Sequence, residues 1–407
     1  MRILILNSMS GTGSTGKIIE GIANVLLDKG HTVKIAYGYG SSTHPNAVCF
    51  GQHRAQYIHK VMSHMFDMQG LWSKADTRRL INIIKDFKPD VINLHNLHGN
   101  YLNYPLFFKF LKSYDAKVVW TLHDCWSFTG HCPHFVFCGC DKWKTECHHC
   151  PQLSMYPASD FWDGSKRNHR LKKQYFTGFG NKMTIVAVSE WLANLVRQSF
   201  WKTTQIQVIH NGIDLDLFQS ASTSDIESAR LKYNLGEDKV ILAVAAPWSK
   251  RKGFDDLMKL SELLPKGYKL MMVGLNEEQL RNLPDNIIGI RRTENAKELA
   301  LLYSAASVFV NTTYEDCFPT VNLEALGCGT PVITYRTGGS PEAIDELTGV
   351  VINQGDINGL EHAIESIATS SGSINQKCRQ RALDNFTASM AFTRYSELFE
   401  QLTTDNK

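Results

Sequence analysis

Residues 310–344 read VNTTYEDCFPTVNLEALGCGTPVITYRTGGSPEAI, and this stretch decides the fold. The β-branched run that ends at Asn311 predicts a buried strand, and TPVITY (330–335) predicts the next one. Between them we expect a helix, since Pro319 needs no backbone N–H in a first helical turn. Strand, helix and strand in this order are typical of an α/β domain with a parallel sheet.

Short apolar runs alternate with helix-length amphipathic segments along the whole chain. The predicted strands are 2–7, 32–38, 90–95, 117–123, 184–189, 206–210, 239–246, 269–274, 306–311, 330–335 and 350–352. Residues 17–30, 75–87 and 295–306 show the helical spacing of apolar positions. Because most predicted strands are apolar on both faces, we expect parallel sheets covered by helices on each side. The predicted fold class is α/β, with two Rossmann-like doubly wound domains that face a cleft.

A chain of 407 residues suits two domains rather than one. The polar segment 211–239 separates two series of strands, so we interpret it as an inter-domain connection. The N-terminal domain is then placed at residues 1–212 and the C-terminal domain at 213–384. Residues 385–407 are expected to form a helix that packs back on the N-terminal domain.

The composition excludes several classes of protein. Hydrophobic residues make up 43% and charged residues 20%, as in ordinary globular proteins. The net charge of +3 is too small to argue for a nucleic-acid partner. No apolar run approaches the roughly 18 residues of a membrane span, and MRILILN at the start lacks the features of a signal peptide. We therefore predict a cytoplasmic protein with reduced thiols.

Residues 11–18, GTGSTGKI, come close to a nucleotide-binding P-loop. A P-loop needs Ser or Thr after its lysine to hold Mg²⁺, and Ile18 stands there instead, which disfavours an NTPase. Two interpretations remain open. Either the glycines merely permit a tight strand-to-helix turn, or backbone N–H groups between Gly13 and Gly16 face an anion such as a donor phosphate.

The 310–344 stretch also carries groups suited to a phosphorylated, hydroxylated ligand. Backbone N–H groups in the first turn of its helix are available to a phosphate, and a second glycine turn follows the next strand. Carboxylates beside such a site suit sugar hydroxyls, because ionised carboxylates only accept hydrogen bonds. The candidate residues are Thr320, Val321, Gly338, Gly339, Glu315, Asp316 and Glu324.

This stretch resembles the signature of family 4 glycosyltransferases of the GT-B fold. That signature is an E-x7-E motif followed by A-x-A-x-G-x-P-V, and residues 316–332 read D-CFPTVNL-E-ALGCGTPV. The resemblance implies a retaining enzyme that needs no metal for catalysis and binds a nucleotide sugar, UDP- or GDP-linked, in the C-terminal domain. It implies that Asp316 or its neighbour Glu315 contacts the donor sugar, and that Glu324 binds the ribose.

The resembling family also holds the donor diphosphate with an Arg and a Lys after the first strand of this domain. Here that segment reads AAPWSKRKGFDDL (245–257), and Lys252 matches the lysine. Pro247 stands at the arginine position, so Lys250 or Arg251 is a candidate substitute. The alternative is a solvated basic turn.

WTLHDCW (120–126) ends a predicted strand with His123 and Asp124, at the edge of the sheet where open α/β folds bind ligands. By resemblance, His123 lies near the transferred sugar. His95 and His98 follow another strand and are either acceptor-side groups or packing residues. The sequence shows no obvious nucleophile, so the resemblance favours a front-face reaction. In such a reaction the leaving diphosphate deprotonates the acceptor hydroxyl, and its charge is stabilised by Lys252 and by helix N-termini.

HCPHFVFCGCDKWKTECHHCPQ (131–152) concentrates cysteines within the insertion at 125–152. Four thiolates would form a closed tetrahedral zinc site. We choose Cys132, Cys140, Cys147 and Cys150 because similar exopolysaccharide transferases carry a TGxC…GCxxWKTGCxxCP block. The alternatives that stay open are Cys138 for Cys140, a ligand among His134, His148 and His149, an iron–sulfur cluster, buried thiols without metal, and disulfides.

The segment FWDGSKRNHRLKKQYF (161–176) joins six basic side chains to flanking aromatics. This mixture suits an anionic bilayer surface, and the alternative is an exposed basic helix. A lipid-linked acceptor, for example on a polyprenyl diphosphate, would explain a membrane surface.

We therefore predict a retaining glycosyltransferase that moves a sugar from a nucleotide sugar to a glycan acceptor in bacterial surface polysaccharide assembly. It is expected in the cytoplasm, at or near the inner face of the membrane. Two competing functions are a nucleotide-sugar epimerase on the same fold and a non-catalytic scaffold stabilised by zinc.

Overall fold

The computed structural model describes residues 1–368 and 373–404. The chain forms two compact units: Met1–Ile209 joined by the segment from Phe392 onward, and His210–Ala391. The observed boundary lies three residues before the predicted start of the second domain at 213. The segment 211–239 is not a bare connection, because it belongs to the second unit and contains a helix.

The first unit is built on a seven-stranded parallel sheet with the order β3-β2-β1-β4-β5-β6-β7. Its strands are β1 (Arg2–Asn7), β2 (Thr32–Tyr37), β3 (Ala47–Cys49), β4 (Val91–Leu94), β5 (Lys117–Leu122), β6 (Met183–Ala187) and β7 (Gln205–Val208). Its helices are α1 (Gly13–Asp28), α2 (His53–Phe66), α3 (Lys74–Phe87), α4 (Tyr104–Ser113), α5 (Ser165–Phe176) and α6 (Glu190–Gln198). Short 3-10 turns cover Trp126–Phe128, Lys142–Lys144 and Gly180–Lys182.

The second unit contains a six-stranded parallel sheet with the order β10-β9-β8-β11-β12-β13. Its strands are β8 (Lys239–Val244), β9 (Tyr268–Val273), β10 (Ile287–Ile290), β11 (Val308–Asn311), β12 (Val332–Tyr335) and β13 (Gly349–Ile352). Its helices are α7 (Thr223–Lys232), α8 (Phe254–Leu263), α9 (Glu277–Arg281), α10 (Ala296–Ala305), α11 (Thr320–Gly327), α12 (Ile357–Ala368) and α13 (Ser373–Asn385). The 3-10 turns are Lys250–Lys252 and Ser340–Ala343.

The last helix, α14 (Ala388–Thr404), supplies part of the core of the first unit. Tyr395 and Phe399 are buried there with Ile5 of β1 and Ile22 of α1. The ring of Phe392 lies so close to Gly21 that a Cβ on this glycine would overlap it. Helix α14 therefore completes the core of the first unit.

The predicted α/β class is confirmed, and all eleven predicted strands are present within about two residues. The sequence missed β3 and β10. β3 has only three residues and is partly exposed, while β10 (IIGI) contains a glycine that weakens a strand pattern. Within the described residues, no helix combines the length and the apolar character that a membrane span needs.

Candidate active site

The acidic loop after β11 is held by the basic turn after β8. The guanidinium of Arg251 donates to the carbonyl of Glu315 at 2.9 Å, and the N–H of Tyr314 donates to the carbonyl of Arg251 at 2.8 Å. Glu315 is buried, with 1% of its surface exposed. Arg251, predicted as a phosphate ligand, thus uses part of its hydrogen-bonding capacity to fix this loop.

Lys252 and Asp316 form an ion pair in which Nζ lies 2.7 Å from Oδ2. Both side chains are about one quarter exposed, so a ligand can reach them. The next residue, Gly253, has a φ of 77°, and a Cβ there would overlap the carbonyl of Thr312. Glycine is needed at this position because the two loops approach closely.

The second glycine turn packs against the backbone of Asp316. Gly338 has a φ of 53°, and a Cβ there would overlap the Asp316 carbonyl oxygen. The N–H of Gly339 donates to the same oxygen at 3.2 Å. The Gly339 N–H predicted for an anion is thus used within the protein, and the turn positions Asp316.

Glu324 lies in α11, where its Oε2 accepts a hydrogen bond from the hydroxyl of Tyr303 at 3.1 Å. Burial, and then the carboxylate of Glu324, raise the pKa of Tyr303 well above its usual value, so Tyr303 stays a donor. Thr320 and Val321 form the first turn of α11, where backbone N–H groups have no intrahelical acceptor. Pro319 sits at the cap, one residue before the predicted helical position.

These loops follow the carboxyl ends of β8, β11 and β12, which are adjacent strands of the second sheet. Open α/β sheets bind ligands at this edge. The structure therefore brings Lys252, Asp316 and the glycine turn together at one edge of this sheet.

In the first unit, His123 pairs with His95 across the ends of β5 and β4. His123 Nε2 lies 2.9 Å from His95 Nδ1, and the ring centroids are 5.2 Å apart. His95 Nε2 lies 2.8 Å from Oδ1 of Asn93, whose Nδ2 donates to the Val119 carbonyl. Because the Asn93 amide nitrogen is a donor here, its Oδ1 accepts the hydrogen bond from His95 Nε2–H. His95 Nδ1 is then unprotonated and accepts the hydrogen bond from His123 Nε2–H. His123 therefore keeps a lone pair on Nδ1.

Burial lowers the pKa values of both histidines. For His123 the pKa falls to about 4, because burial and the nearby His98 outweigh the attraction of Asp124. Near neutral pH His123 is thus an uncharged imidazole. Such a group can accept a hydrogen bond from a sugar hydroxyl but cannot serve as a cation.

Asp124 joins a second histidine, His98, which the sequence left open between an acceptor-side and a packing role. Asp124 Oδ2 lies 2.8 Å from His98 Nε2, and its Oδ1 accepts the N–H of Trp126 at 2.8 Å. Burial disfavours the carboxylate, but His98 and this N–H outweigh it and lower the Asp124 pKa to about 2. His98 Nδ1 also lies 2.9 Å from the hydroxyl of Tyr156, a contact that no sequence pattern signalled.

The first glycine turn leads into α1, which begins at Gly13. Gly16 is buried beneath Gly11, whose N–H donates to the Gly16 carbonyl at 3.1 Å. Ile18, at the position where a P-loop has its metal ligand, is part of the hydrophobic core. The turn is thus unlike a P-loop, and its exposed backbone lies around Thr12 and Gly13.

The four chosen cysteines, Cys132, Cys140, Cys147 and Cys150, line one small cavity. The N–H of Gly130 donates to Cys147 Sγ at 3.2 Å, and a hydrogen bond from Cys132 lowers the pKa of Cys150 to about 7. Across residues 1–368 and 373–404, however, no group of three or more Cys, His, Asp or Glu side chains takes up a metal-binding arrangement. The ten cysteines are thiols, which excludes the disulfide alternative here.

Two of the alternative ligands can be compared with this cavity. His148 lines it, whereas Cys138 lies outside its lining and contacts the carbonyl of Phe135 and the amide of Gln152. Within the described residues, the cavity therefore favours Cys140 over Cys138.

The basic segment 161–176 forms α5 from Ser165 onward, and several of its cations are used inside the protein. The ammonium of Lys172 is buried, lies 3.6 Å from the centroid of the Trp126 ring and donates to the Trp126 carbonyl at 2.6 Å. Burial lowers the pKa of Lys172 to about 7. His169 is also buried, whereas Lys166 and Arg170 pair with Glu146 while more than half of each side chain stays exposed. The segment presents fewer cations to a membrane than the sequence predicts.

Comparison with known proteins identifies the class. The family described as Glycosyltransferase Family 4 matches residues 15–217, and the family described as Glycosyl transferases group 1 matches residues 225–384. Between them they span both units. The chain belongs to the family 4 glycosyltransferases and has the GT-B fold of two Rossmann-like domains, so it is an enzyme of glycosyl transfer. Neither an epimerase nor a scaffold is favoured by these matches.

Individual proteins agree with this class. The chain is 23% identical over 374 residues to the Escherichia coli (strain K12) protein named as colanic acid biosynthesis glycosyl transferase WcaC, with 88% of each chain covered. Among solved structures it is similar to sucrose-phosphate synthase from Thermosynechococcus elongatus (TM-score 0.73, 17% identity, 99% of each chain). It is also similar to Anabaena Alr3699/HepE in complex with UDP-glucose (TM-score 0.68, 17% identity, 98% of this chain and 100% of that one).

Proposed function

We propose that this glycosyltransferase is a retaining, metal-independent enzyme that uses a nucleoside diphosphate sugar, UDP- or GDP-linked, as its donor. The observation that carries the proposal is the ion pair of Lys252 and Asp316 beside the N-terminus of α11. A diphosphate oxygen can replace the carboxylate at Lys252, while the first N–H groups of α11 receive a second oxygen. The UDP-glucose complex of the similar HepE fold agrees with this donor class.

Asp316 is the acid that we assign to the donor sugar. Its carboxylate is partly exposed, whereas Glu315 is buried and its carbonyl is held by Arg251. Glu324 is assigned to the ribose of the nucleotide, and Tyr303 fixes the orientation of its carboxylate.

In the proposed reaction the bond between the anomeric carbon and the diphosphate oxygen breaks. A bond from the acceptor oxygen then forms on the same face of the sugar. The acceptor proton passes to the leaving diphosphate, whose growing charge is stabilised by Lys252 and by the N-terminus of α11. We assign His123, which is uncharged near neutral pH, the role of accepting a hydrogen bond from a sugar hydroxyl.

The acceptor that we propose is a glycan of bacterial surface polysaccharide, carried on a lipid such as a polyprenyl diphosphate. The similarity to the colanic acid enzyme WcaC supports this class of acceptor. The enzyme would then work in the cytoplasm at the inner face of the membrane.

A structural zinc ion is the second part of the proposal. The cavity lined by Cys132, Cys140, Cys147 and Cys150 offers four thiols, and zinc would have to displace their protons, because burial outweighs the hydrogen bond from Gly130 and raises the pKa of Cys147 to about 12. The donor set thus fits zinc by its chemistry, although the thiols do not take up a metal-binding arrangement. When bound, the ion would hold the 125–152 insertion rigid and would take no part in the reaction.

The donor assignment is tested by incubating the purified protein with a panel of UDP- and GDP-sugars. We expect one donor to raise the melting temperature and to be hydrolysed or transferred, because a ligand stabilises the form that binds it. Glu324→Ala should abolish this turnover. Turnover that survives in this variant would contradict the site. Interconversion of the sugar without an acceptor would favour the epimerase.

A further inference from the structure

Helix α2 is folded with its polar side inward. Its buried residues are His59 and Ser63, and His59 bridges Ser73 Oγ (2.8 Å from Nδ1) and the N–H of Gly70 (2.8 Å from Nε2). A surface helix normally buries its apolar stripe and exposes its polar face. Here the apolar side chains are left outside.

The outward side chains form a continuous line, which we call the α2 ridge: Tyr57, Ile58, Val61 and Met65. Tyr57, Val61 and Met65 follow each other at i, i+4 and i+8, so they share one face of the helix, and Ile58 lies beside them. Tyr57 is 71% exposed and Ile58 is 52% exposed. Contiguous exposed apolar residues of this kind mark a docking surface.

The charges on α2 all have one sign. Arg54 and Lys60 are exposed, and residues 53–66 contain no Asp or Glu. In a symmetric dimer formed through this face, the same cations would be placed near one another, which disfavours a second copy. An anionic partner is complementary to Arg54 and Lys60, although the neighbouring loop adds two exposed acids, Asp160 and Asp163.

A loop beside the C-terminal end of α2 adds more exposed aromatic surface. Phe161 is 79% exposed and Trp162 is 59% exposed. The loop is tied to α2 because the N–H of Asp160 donates to the carbonyl of His64 at 2.7 Å. Trp side chains are enriched at the membrane–water interface, where one edge is apolar and the other is hydrated.

We propose that the α2 ridge, Arg54, Lys60 and the loop at 161–162 form a docking surface for an anionic lipid bilayer. The ridge and the aromatic loop enter the boundary between headgroups and acyl chains, and the cations contact the lipid phosphates. This places the membrane contact on α2 and on the loop that precedes α5. The docking itself does not depend on the proposed function. Its purpose rests on that function, because docking would bring the enzyme to a lipid-linked acceptor.

The test is sedimentation of the full-length protein with phosphatidylcholine vesicles, with and without phosphatidylglycerol. We expect binding to the anionic vesicles and little to the neutral ones. Ile58→Glu and Met65→Glu should each lower the bound fraction at least tenfold. Arg54→Gln and Lys60→Gln should each weaken the affinity roughly fivefold, the value expected for one cation near an anionic surface. Leu231→Glu is the matched control, because Leu231 is 80% exposed on α7 and should bind like the wild type.

A second measurement, donor turnover in solution, separates this inference from the proposed function. The ridge variants should turn over soluble donor at the wild-type rate. Wild-type protein that stays in the supernatant with phosphatidylglycerol vesicles would overturn the docking surface. So would Ile58→Glu and Met65→Glu variants that bind like wild type. A dimer in sedimentation velocity that Ile58→Glu dissociates would identify a second copy as the occupant and would also overturn it.

Discussion

The ammonium of Lys252 lies 2.7 Å from the carboxylate of Asp316, on a neighbouring strand's loop. We expect Lys252→Ala to reduce kcat for glycosyl transfer roughly a hundredfold, the usual loss when one donor to a developing anion is removed. Lys250 is the matched control from the same basic turn, because its side chain is 80% exposed and its nearest acid is 3.9 Å away. Steady-state kinetics would contradict the assignment if Lys250→Ala and Lys252→Ala lost the same activity.

The stability of the folded protein should depend on pH through His123, whose pKa is lowered to about 4 by burial. The unfolded chain takes up this proton near pH 6.5, so between pH 6.5 and 4 it binds more protons than the folded protein. Stability should therefore fall as the pH falls through this window, by at most about 3.4 kcal/mol from this group. In melting curves from pH 7 to pH 4, His123→Asn should show a shallower decline.

The control for this pH effect is His53→Asn, since His53 lies exposed on α2. Its melting curves should decline with pH as steeply as those of the wild type. An unchanged slope in His123→Asn would show that other groups cause the acid sensitivity, and His59 is then the next candidate because burial lowers its pKa to about 3.

The cysteine cavity predicts a metal content that depends on particular thiols. Purified wild-type protein should contain zinc, and a strong chelator should lower its melting temperature, because a structural metal contributes folding free energy. Cys147→Ser should lose the zinc, whereas Cys138→Ser should retain it, since Cys138 lies outside the cavity. Elemental analysis measures the zinc content of each variant. Zinc lost equally in both variants would place Cys138 in the ligand set.

Phe399 of α14 is fully buried in the core of the first unit. We expect Phe399→Ala to destabilise that unit by roughly 3–5 kcal/mol, as for other buried aromatic residues. Met390→Ala, on the same helix but 36% exposed, should cost far less. If unfolding curves give Phe399→Ala and Met390→Ala the same free energy of unfolding, the assignment of α14 to this core is contradicted.

The sequence predicted most of the strands and one edge of the site because buried parallel strands leave an unmistakable apolar pattern. It also placed His123 at a strand end of the first sheet, and Asp316 and Lys252 at strand ends of the second, because the carboxyl ends of parallel strands share one edge of their own sheet. The pairing of His98 with Asp124 was not predictable, because it depends on loop conformations after β4 and β5. The orientation of α2 was hidden for another reason: spacing identifies an apolar face but does not reveal which way it points.

The basic segment at 161–176 illustrates the same limit. Its cations look like a surface feature, yet Lys172 is buried against the ring of Trp126. A charged residue is rarely buried unless partners hold it there. Those partners come from distant parts of the chain, so a local reading of α5 overstates its exposed charge.

The return of α14 to the first unit has a consequence for how the protein is made. During translation, the residues of the second unit (His210–Ala391) are added before most of α14, so the first unit lacks the helix that closes its core until α14 has been made. The domain that is synthesised first is therefore the one that finishes folding last. Until α14 docks, the apolar groove that receives Phe399 stays open, and exposed apolar surface of this kind favours aggregation.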